Sequence, residues 1–207
     1  MGLVKKKAAP QAPPADSGVA RDPLAALEDA DAAVRRDAAH GLGHSPPPGA
    51  EAALAHRLQA EGDAGVREAI LTALARIASP AAAAAIVPFL DREDAALRNA
   101  VLESLQQMPA EVAAPALLPL LDHADADLRI FAVQGLGSLV HPDRAEWLAR
   151  VMERDRDVNV GLAAVEALAE AGSPEALSSL ETLARRFPGD AFVAFAVDAA
   201  RSSFRGR

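Results

Sequence analysis

The chain has 207 residues, 51% of them hydrophobic, a formal net charge of −8, one Trp, no Tyr and no Cys. The lack of Cys excludes a disulfide framework, a thiolate metal site and a cysteine nucleophile. The acidic balance argues against a phosphate-backbone groove, whose affinity comes from clustered Lys and Arg. A core so poor in aromatics must be built from Ala, Leu, Val and Ile, and the strong helix propensity of Ala and Leu points to an all-α protein.

From the N-terminus, Lys5–Lys7 and the Pro- and Ala-rich run behind them cannot form a core, so residues 1–20 are expected to be a disordered tail. They also lack the apolar stretch of a secretory leader. The longest apolar run, 81–90, contains Pro88 and ends at Asp91, short of the roughly 18 residues of a membrane span. No membrane association and a cytoplasmic location are therefore expected.

From residue 21 onward one phrase recurs: Asp, two residues, an aliphatic, Arg, then Ala and Leu at helical spacing. It begins at Asp31, Asp63, Asp94, Asp125 and Asp157, with aliphatic anchors at Val34, Val66, Leu97, Leu128 and Val160 and a degenerate sixth near Phe192. The anchors lie 32, 31, 31, 32 and 32 residues apart, an internal repeat. In each copy the Asp suits a helix N-cap, and apolar residues at 0, 4, 5 and 8 after the anchor form one helical stripe. Gly41, Ala73, Ser104, Gly135 and Ala167, seven after their anchors, are expected to admit close helix contacts. A shorter apolar helix precedes each Asp (Leu24–Leu27, Leu54–Leu58, Ile86–Leu90, Leu117–Leu121, Leu148–Met152, Leu177–Leu183), and prolines mark the joins. The units fall near 21–48, 49–79, 80–110, 111–141, 142–173 and 174–204, followed by a frayed end at 205–207.

The Asp-x-x-aliphatic-Arg phrase, the trailing Ala and Leu, and prolines inside first helices (Pro88, Pro119) resemble HEAT-like repeats. The period is similar to that of the short bacterial repeats of the phycobilisome-lyase type. The resemblance implies a right-handed α-solenoid of about six helical hairpins. First helices would lie on the convex face and second helices would line the concave one. It also implies that Arg35, Arg67, Arg98 and Arg129 pair with turn aspartates of their own or neighbouring repeats, as a ladder. Gly161 replaces the fifth Arg, and Gly189 stands where the sixth Asp is expected, with Asp190 beside it. The ladder is therefore expected to stop after repeat four.

No catalytic constellation emerges, and no enzyme activity or cofactor is expected. His40 and His44, with Asp37 one turn before, have a spacing that can hold a metal. At a helix end, however, imidazoles complement the negative dipole, so no metal site is assigned. The His-Glu metal motifs of the HEAT-like deoxyhypusine hydroxylases are missing. Glu103 and Glu166 occupy one column two repeats apart and read as solvated.

Two and three residues after the anchors, the N-terminal half of the concave face is polar and small, whereas the C-terminal half carries Ile130, Phe131, Leu162 and Phe195. Apolar groups outside the buried stripe mark an interface. With Gln134 and Glu166 they form the expected partner-binding patch. Trp147, on a first helix, reads as packing on the convex side or at a repeat join. The expected function is a non-enzymatic adaptor or scaffold in a bacterial signalling or assembly system, monomeric, with another protein as partner. The alternatives are a subunit of a chromophore (bilin) lyase, by resemblance of the repeats alone, and a HEAT-like DNA glycosylase. The mixed, aromatic-poor concave columns argue against the glycosylase and against nucleic acid generally.

Overall fold

The computed structural model describes residues 22–171 and 177–205. These form an α-solenoid of twelve α-helices: α1 (Pro23–Ala26), α2 (Ala32–His44), α3 (Ala50–Ala60), α4 (Ala64–Ile77), α5 (Pro80–Ile86), α6 (Ala95–Gln106), α7 (Ala110–Leu117), α8 (Ala126–Ser138), α9 (Arg144–Arg154), α10 (Val158–Ala171), α11 (Leu177–Arg186) and α12 (Ala191–Arg205). Odd-numbered helices are the first helices of the repeats and even-numbered ones the second. The expected tail at 1–20 lies outside the described residues, as do 206 and 207. Arg205, expected in the frayed end, continues α12.

The repeated aspartates do cap the second helices. Asp31 accepts from the Ala33 amide at 2.8 Å, Asp63 from Val66 at 3.0 Å, Asp94 from Leu97 at 3.1 Å, Asp125 from Asp127 at 2.8 Å and Asp157 from Asn159 at 2.8 Å. Each cap satisfies an amide the helix leaves free and is worth about 1 kcal/mol. Two first helices end early: α5 and α7 tighten into 3-10 turns at Val87–Asp91 and Leu118–Asp122. Pro88 and Pro119 lack the N–H that an α-helical bond needs there.

Second helices stack on one another, α2 on α4 through α10 on α12. Leu42, Leu74, Leu105, Leu136 and Leu168, the residues eight after each anchor, are all fully buried. At about 1.5–3 kcal/mol each, this column is a main part of the core.

The sixth repeat differs from the sequence expectation. Phe192 is 77% exposed, and the buried stripe of α12 is Val193, Val197 and Ala200. Asp190 accepts from the Phe192 and Val193 amides at 2.9 and 3.1 Å. The anchor is therefore Val193, 33 residues after Val160, and its cap stands three residues before it, as in the other repeats. One extra residue in the preceding turn disguised an ordinary repeat.

The small residues act partly as expected. Nothing lies within 4 Å of where a Cβ on Gly41 would stand, whereas one on Gly135 would fall 2.8 Å from Leu117 Cδ1. Ala73 and Ala167 take part in the close approaches of second helices, at Gly43, where a Cβ would fall 2.8 Å from Ala73 Cα, and at Gly137, where it would fall 2.6 Å from Ala167 Cβ. Each pairs a glycine nine after one anchor with an alanine seven after the next. The equivalent positions at the joins in the middle are Ala75 with Ser104 and Gln106 with Gly135, and there the second helices approach one another less.

The arginine ladder exists, with a turn Asp of the next repeat as acceptor for Arg67 and Arg129 and a turn Glu for Arg35. Arg35 reaches the Asp29 and Ala30 carbonyls of its own turn at 2.8 and 3.0 Å, and makes two bonds to Glu61 in the next turn at 2.8 and 2.9 Å. Arg129 repeats this with the His123 and Ala124 carbonyls and two bonds to Asp155, at 2.8 and 3.1 Å. The acceptor in both cases stands five residues before the next anchor and is not the capping Asp. Arg67 does use a cap, Asp94, at 2.7 Å. Arg98 has no carboxylate partner among the described residues. It donates to the Arg92 carbonyl and stands 5.5 Å over the Phe131 ring.

Among the described residues the arginine–carboxylate rungs end with Arg129 of repeat four, as expected, but the next turn is still served by an arginine. Arg186 of the sixth repeat donates to the Met152 carbonyl at 2.7 Å and to the Asp155 carbonyl. It thus serves the turn that an arginine at position 161 would have served. Gly161 itself faces Leu183, whose Cδ1 would lie 2.7 Å from an added Cβ.

Glu61 is the most enclosed acid of the ladder, with its side chain 1% exposed. Burial disfavours its charge, but the Arg35 bonds, the Asp63 amide and Arg57 outweigh that and hold it at about 2. A carboxyl lowered in the folded state stabilises fully above its ordinary value of 4.5 and loses that contribution as pH falls towards about 2. Urea midpoints should therefore fall between pH 5 and pH 3 in the native chain and fall less in Glu61→Ala. At pH 7 that variant should lose about 3–5 kcal/mol, because it leaves Arg35 buried and unpaired. Gly43→Ala should lose about 1–3 kcal/mol by overpacking against Ala73. Gly41→Ala, made beside it, should gain about 0.5–1 kcal/mol from helix propensity; thermal melts of the two variants check the pair.

Candidate functional site

The six residues expected to bind a partner lie on three second helices. Ile130, Phe131 and Gln134 are on α8, Leu162 and Glu166 on the adjacent α10, and Phe195 on α12. Gln134 and Glu166 are exposed, while Ile130, Phe131 and Leu162 are half-buried. Ile130 and Leu162 pack on the C-terminal part of the core and Phe131 on the N-terminal part. The boundary between the two parts of the core runs through α8, which gives Leu128 and Leu136 to one and Val133 to the other. Ile130, Phe131 and Leu162 thus share their area between core and surface, with Arg98 over one ring face of Phe131. Phe195 is 76% exposed and stands outside that packing, together with Phe192 on the outer face of α12.

The His44 ring of the His40 and His44 pair is already engaged. His44 Nδ1 lies 2.8 Å from the His40 carbonyl, and the Arg76 guanidinium stands 2.8–2.9 Å from both ring nitrogens. A cation already occupies that side of the ring. Among the described residues no group of three potential ligands comes together.

A second site was not anticipated. α5 packs on α7 and α9 on α11, but α7 and α9 stand apart. Between them is an open cleft of about 1000 Å³. One wall is Pro115, Leu118 and Pro119, and the other is Trp147, Arg150, Val151 and Arg154 of α9. The Arg129–Asp155 pair lines it too, and Asp122, His123, Ala124 and Arg156 line the loops. Arg156 donates to the Ala124 carbonyl at 3.0 Å, tying the two turns. His141 stacks on Trp147 with ring centroids 4.5 Å apart, which fixes the half-buried indole at the repeat join.

Local sequence explains these walls. Pro119 shortens α7, and Pro115 and Pro119 present rigid rings in place of longer side chains. Trp147, Arg150 and Arg154 follow at i, i+3 and i+7, one face of α9. That spacing was readable, but only the parting of α7 from α9 turns it into a wall.

The period, the caps and the stacked hairpins agree with a direct match. Residues 21–106 and 114–199 fit the family model described as HEAT repeats.

The chain is a HEAT-repeat protein.

Among solved structures this HEAT-repeat chain is similar to human deoxyhypusine hydroxylase, at 19% identity and a TM-score of 0.47, covering 89% of this chain and 84% of that one. An engineered protein aligns at 20% identity and TM-score 0.42, covering 89% and 95%. The complex of CpcE and CpcF of phycocyanin lyase from Nostoc aligns at 20% and 0.41, covering 95% and 100%. At that level of likeness none of them lends this chain a substrate or a partner. No curated protein matches it.

The cleft lining contains a ladder rung, so stability and site are linked. Arg129→Ala should destabilise by about 3–5 kcal/mol by leaving Asp155 unpaired in a buried setting. Arg98→Ala, at a rung without a carboxylate, should cost less, about 1–2 kcal/mol, the range of a partly desolvated cation–π contact. Urea denaturation of the two variants measures the difference.

Proposed function

We propose that this HEAT-repeat protein is a non-enzymatic scaffold that binds another protein on its second-helix face. The reading is supported by one observation: Ile130, Phe131 and Leu162 on α8 and α10 keep part of their apolar area at the surface, with exposed Gln134 and Glu166 beside them. An apolar centre with a polar rim is the anatomy of a specific interface. Phe195, exposed on α12, would add an apolar contact at the C-terminal end.

Two classes of variant test this. Ile130→Asp with Phe131→Asp attacks the centre, and Gln134→Arg with Glu166→Arg changes only exposed side chains and leaves packing intact. A partner identified by affinity capture and then purified should bind the native chain. It should bind either variant more than about 30-fold more weakly, the scale of a loss of 2 kcal/mol at an interface centre, while circular dichroism stays helical. Undiminished binding to the Gln134→Arg, Glu166→Arg chain would remove this face from the function.

A further inference from the structure

The cleft between α7 and α9 shares no residue with that face. We propose that it is a second docking site, which takes an extended acidic peptide segment of a partner protein. Arg150 and Arg154 would receive its carboxylates, and Trp147 with the facing prolines would receive an apolar side chain.

The argument begins with charge. Arg150 and Arg154 are exposed on the cleft wall, and among the described residues neither has an ion-pair or hydrogen-bond partner. They stand free in a chain of net charge −8, whereas Arg129, buried in the same lining, is satisfied by Asp155. Asp122 and Glu146 also line the cleft. Glu146 precedes Trp147, and the arginines follow it, so positive charge gathers towards Arg154 and Arg156. A segment would therefore lie with its acidic part at that end and its apolar part at the indole. The same two carboxylates oppose a continuous phosphate backbone, which favours a peptide over a nucleic acid.

Spacing gives the second support. Side chains one turn apart on a helix are about 5–6 Å apart. Alternate side chains on one edge of an extended chain repeat every ~6.7 Å. Carboxylates two residues apart in a strand-like segment thus match Arg150 and Arg154 within the reach of flexible guanidiniums. The wall opposite is rigid: Pro115 and Pro119 lose little entropy on binding, and the indole is already held by His141. Preorganised apolar walls beside unpaired cations fit an acidic segment with an aromatic or aliphatic residue in it.

Trp147 is the single Trp of the chain, so its fluorescence reports on this cleft alone. The test is a selection from a random heptapeptide library against the full chain, after subtraction with the Trp147→Ala, Arg150→Ala, Arg154→Ala chain. Expected are sequences with Asp or Glu two residues apart next to an aromatic or Leu. Such peptides, made synthetically, should shift the Trp147 emission saturably and weaken as salt rises. Binding should fall at least tenfold in Arg150→Ala, Arg154→Ala, which retains the reporter, and stay unchanged in Gln134→Arg, Glu166→Arg. The last arm separates this site from the second-helix face. The proposal is overturned if no peptide survives the subtraction, if the survivors are basic, if the double arginine variant binds them equally, or if a twelve-nucleotide thymidine strand shifts the emission more strongly than they do.

Discussion

In the first and fourth repeats the turn before the second helix offers two backbone carbonyls to one side chain, those of Asp29 and Ala30 and those of His123 and Ala124. One arginine meets both in each case. Left alone, such carbonyls would carry a desolvation cost of about 1–3 kcal/mol each. A guanidinium is suited to them because its donors form a planar fork. One edge serves its own turn, and the other presents two parallel bonds to the next repeat's carboxylate. The same group therefore closes a turn and fixes the register of its neighbour. Glu61 and Asp155 in turn accept from the Asp63 and Asp157 amides at 2.9 Å, so the acceptor side chain also shapes the turn that carries the next cap.

The joins are unequal because this device is not repeated evenly. Between repeats one and two, and between four and five, a buried bidentate pair coincides with a glycine-to-alanine approach of the second helices. At the two joins between them, Arg92 and His123 occupy the acceptor position, and neither can receive a guanidinium as a carboxylate does. Arg67 turns to the exposed Asp94, and Arg98 turns to a carbonyl and the Phe131 ring. Where the acceptor is missing, the glycine is missing as well, and the helices stand further apart. The two features act on the same separation, since a short bidentate pair requires the turns to approach and a glycine permits it.

Much of the fold could be read from the chain because it depends on local, repeated chemistry. An Asp three residues before an aliphatic anchor caps a helix whatever its surroundings, and the buried Leu column follows from helical geometry. The errors came where neighbouring repeats meet. The acceptor of the ladder was legible as the acid two residues before the cap, in Glu61-Gly62-Asp63 and Asp155-Arg156-Asp157. Arg186 could not be assigned to the turn of the previous repeat from sequence, since it replaces a missing arginine from the opposite direction. Of the expected patch, the positions on α8 and α10 were legible, but the division of Ile130 and Phe131 between two parts of the core was not. The cleft was hidden for the same reason: the parting of two helices is not a property of either one.

That parting follows from the tight join beneath it. At repeats four and five, Gly137 lets α8 approach α10, and Arg129 draws their turns together through Asp155. On the first-helix side, α7 is cut short by Pro119 and ends in a 3-10 turn, while α9 continues as a full helix with Trp147 and two arginines on its inner face. Two hairpins pressed together along one layer and lacking matched side chains in the other must open as a wedge. The opening coincides with the place where the buried core divides. Its floor is a satisfied ion pair and its walls hold unsatisfied cations. A repeat that conformed fully to the pattern, with a long first helix before it and an aliphatic in place of Trp147, would fill this space with core. The cleft is therefore the local consequence of Pro119, Gly137 and Trp147 meeting at one join, and it lies on the side opposite to a close contact of second helices.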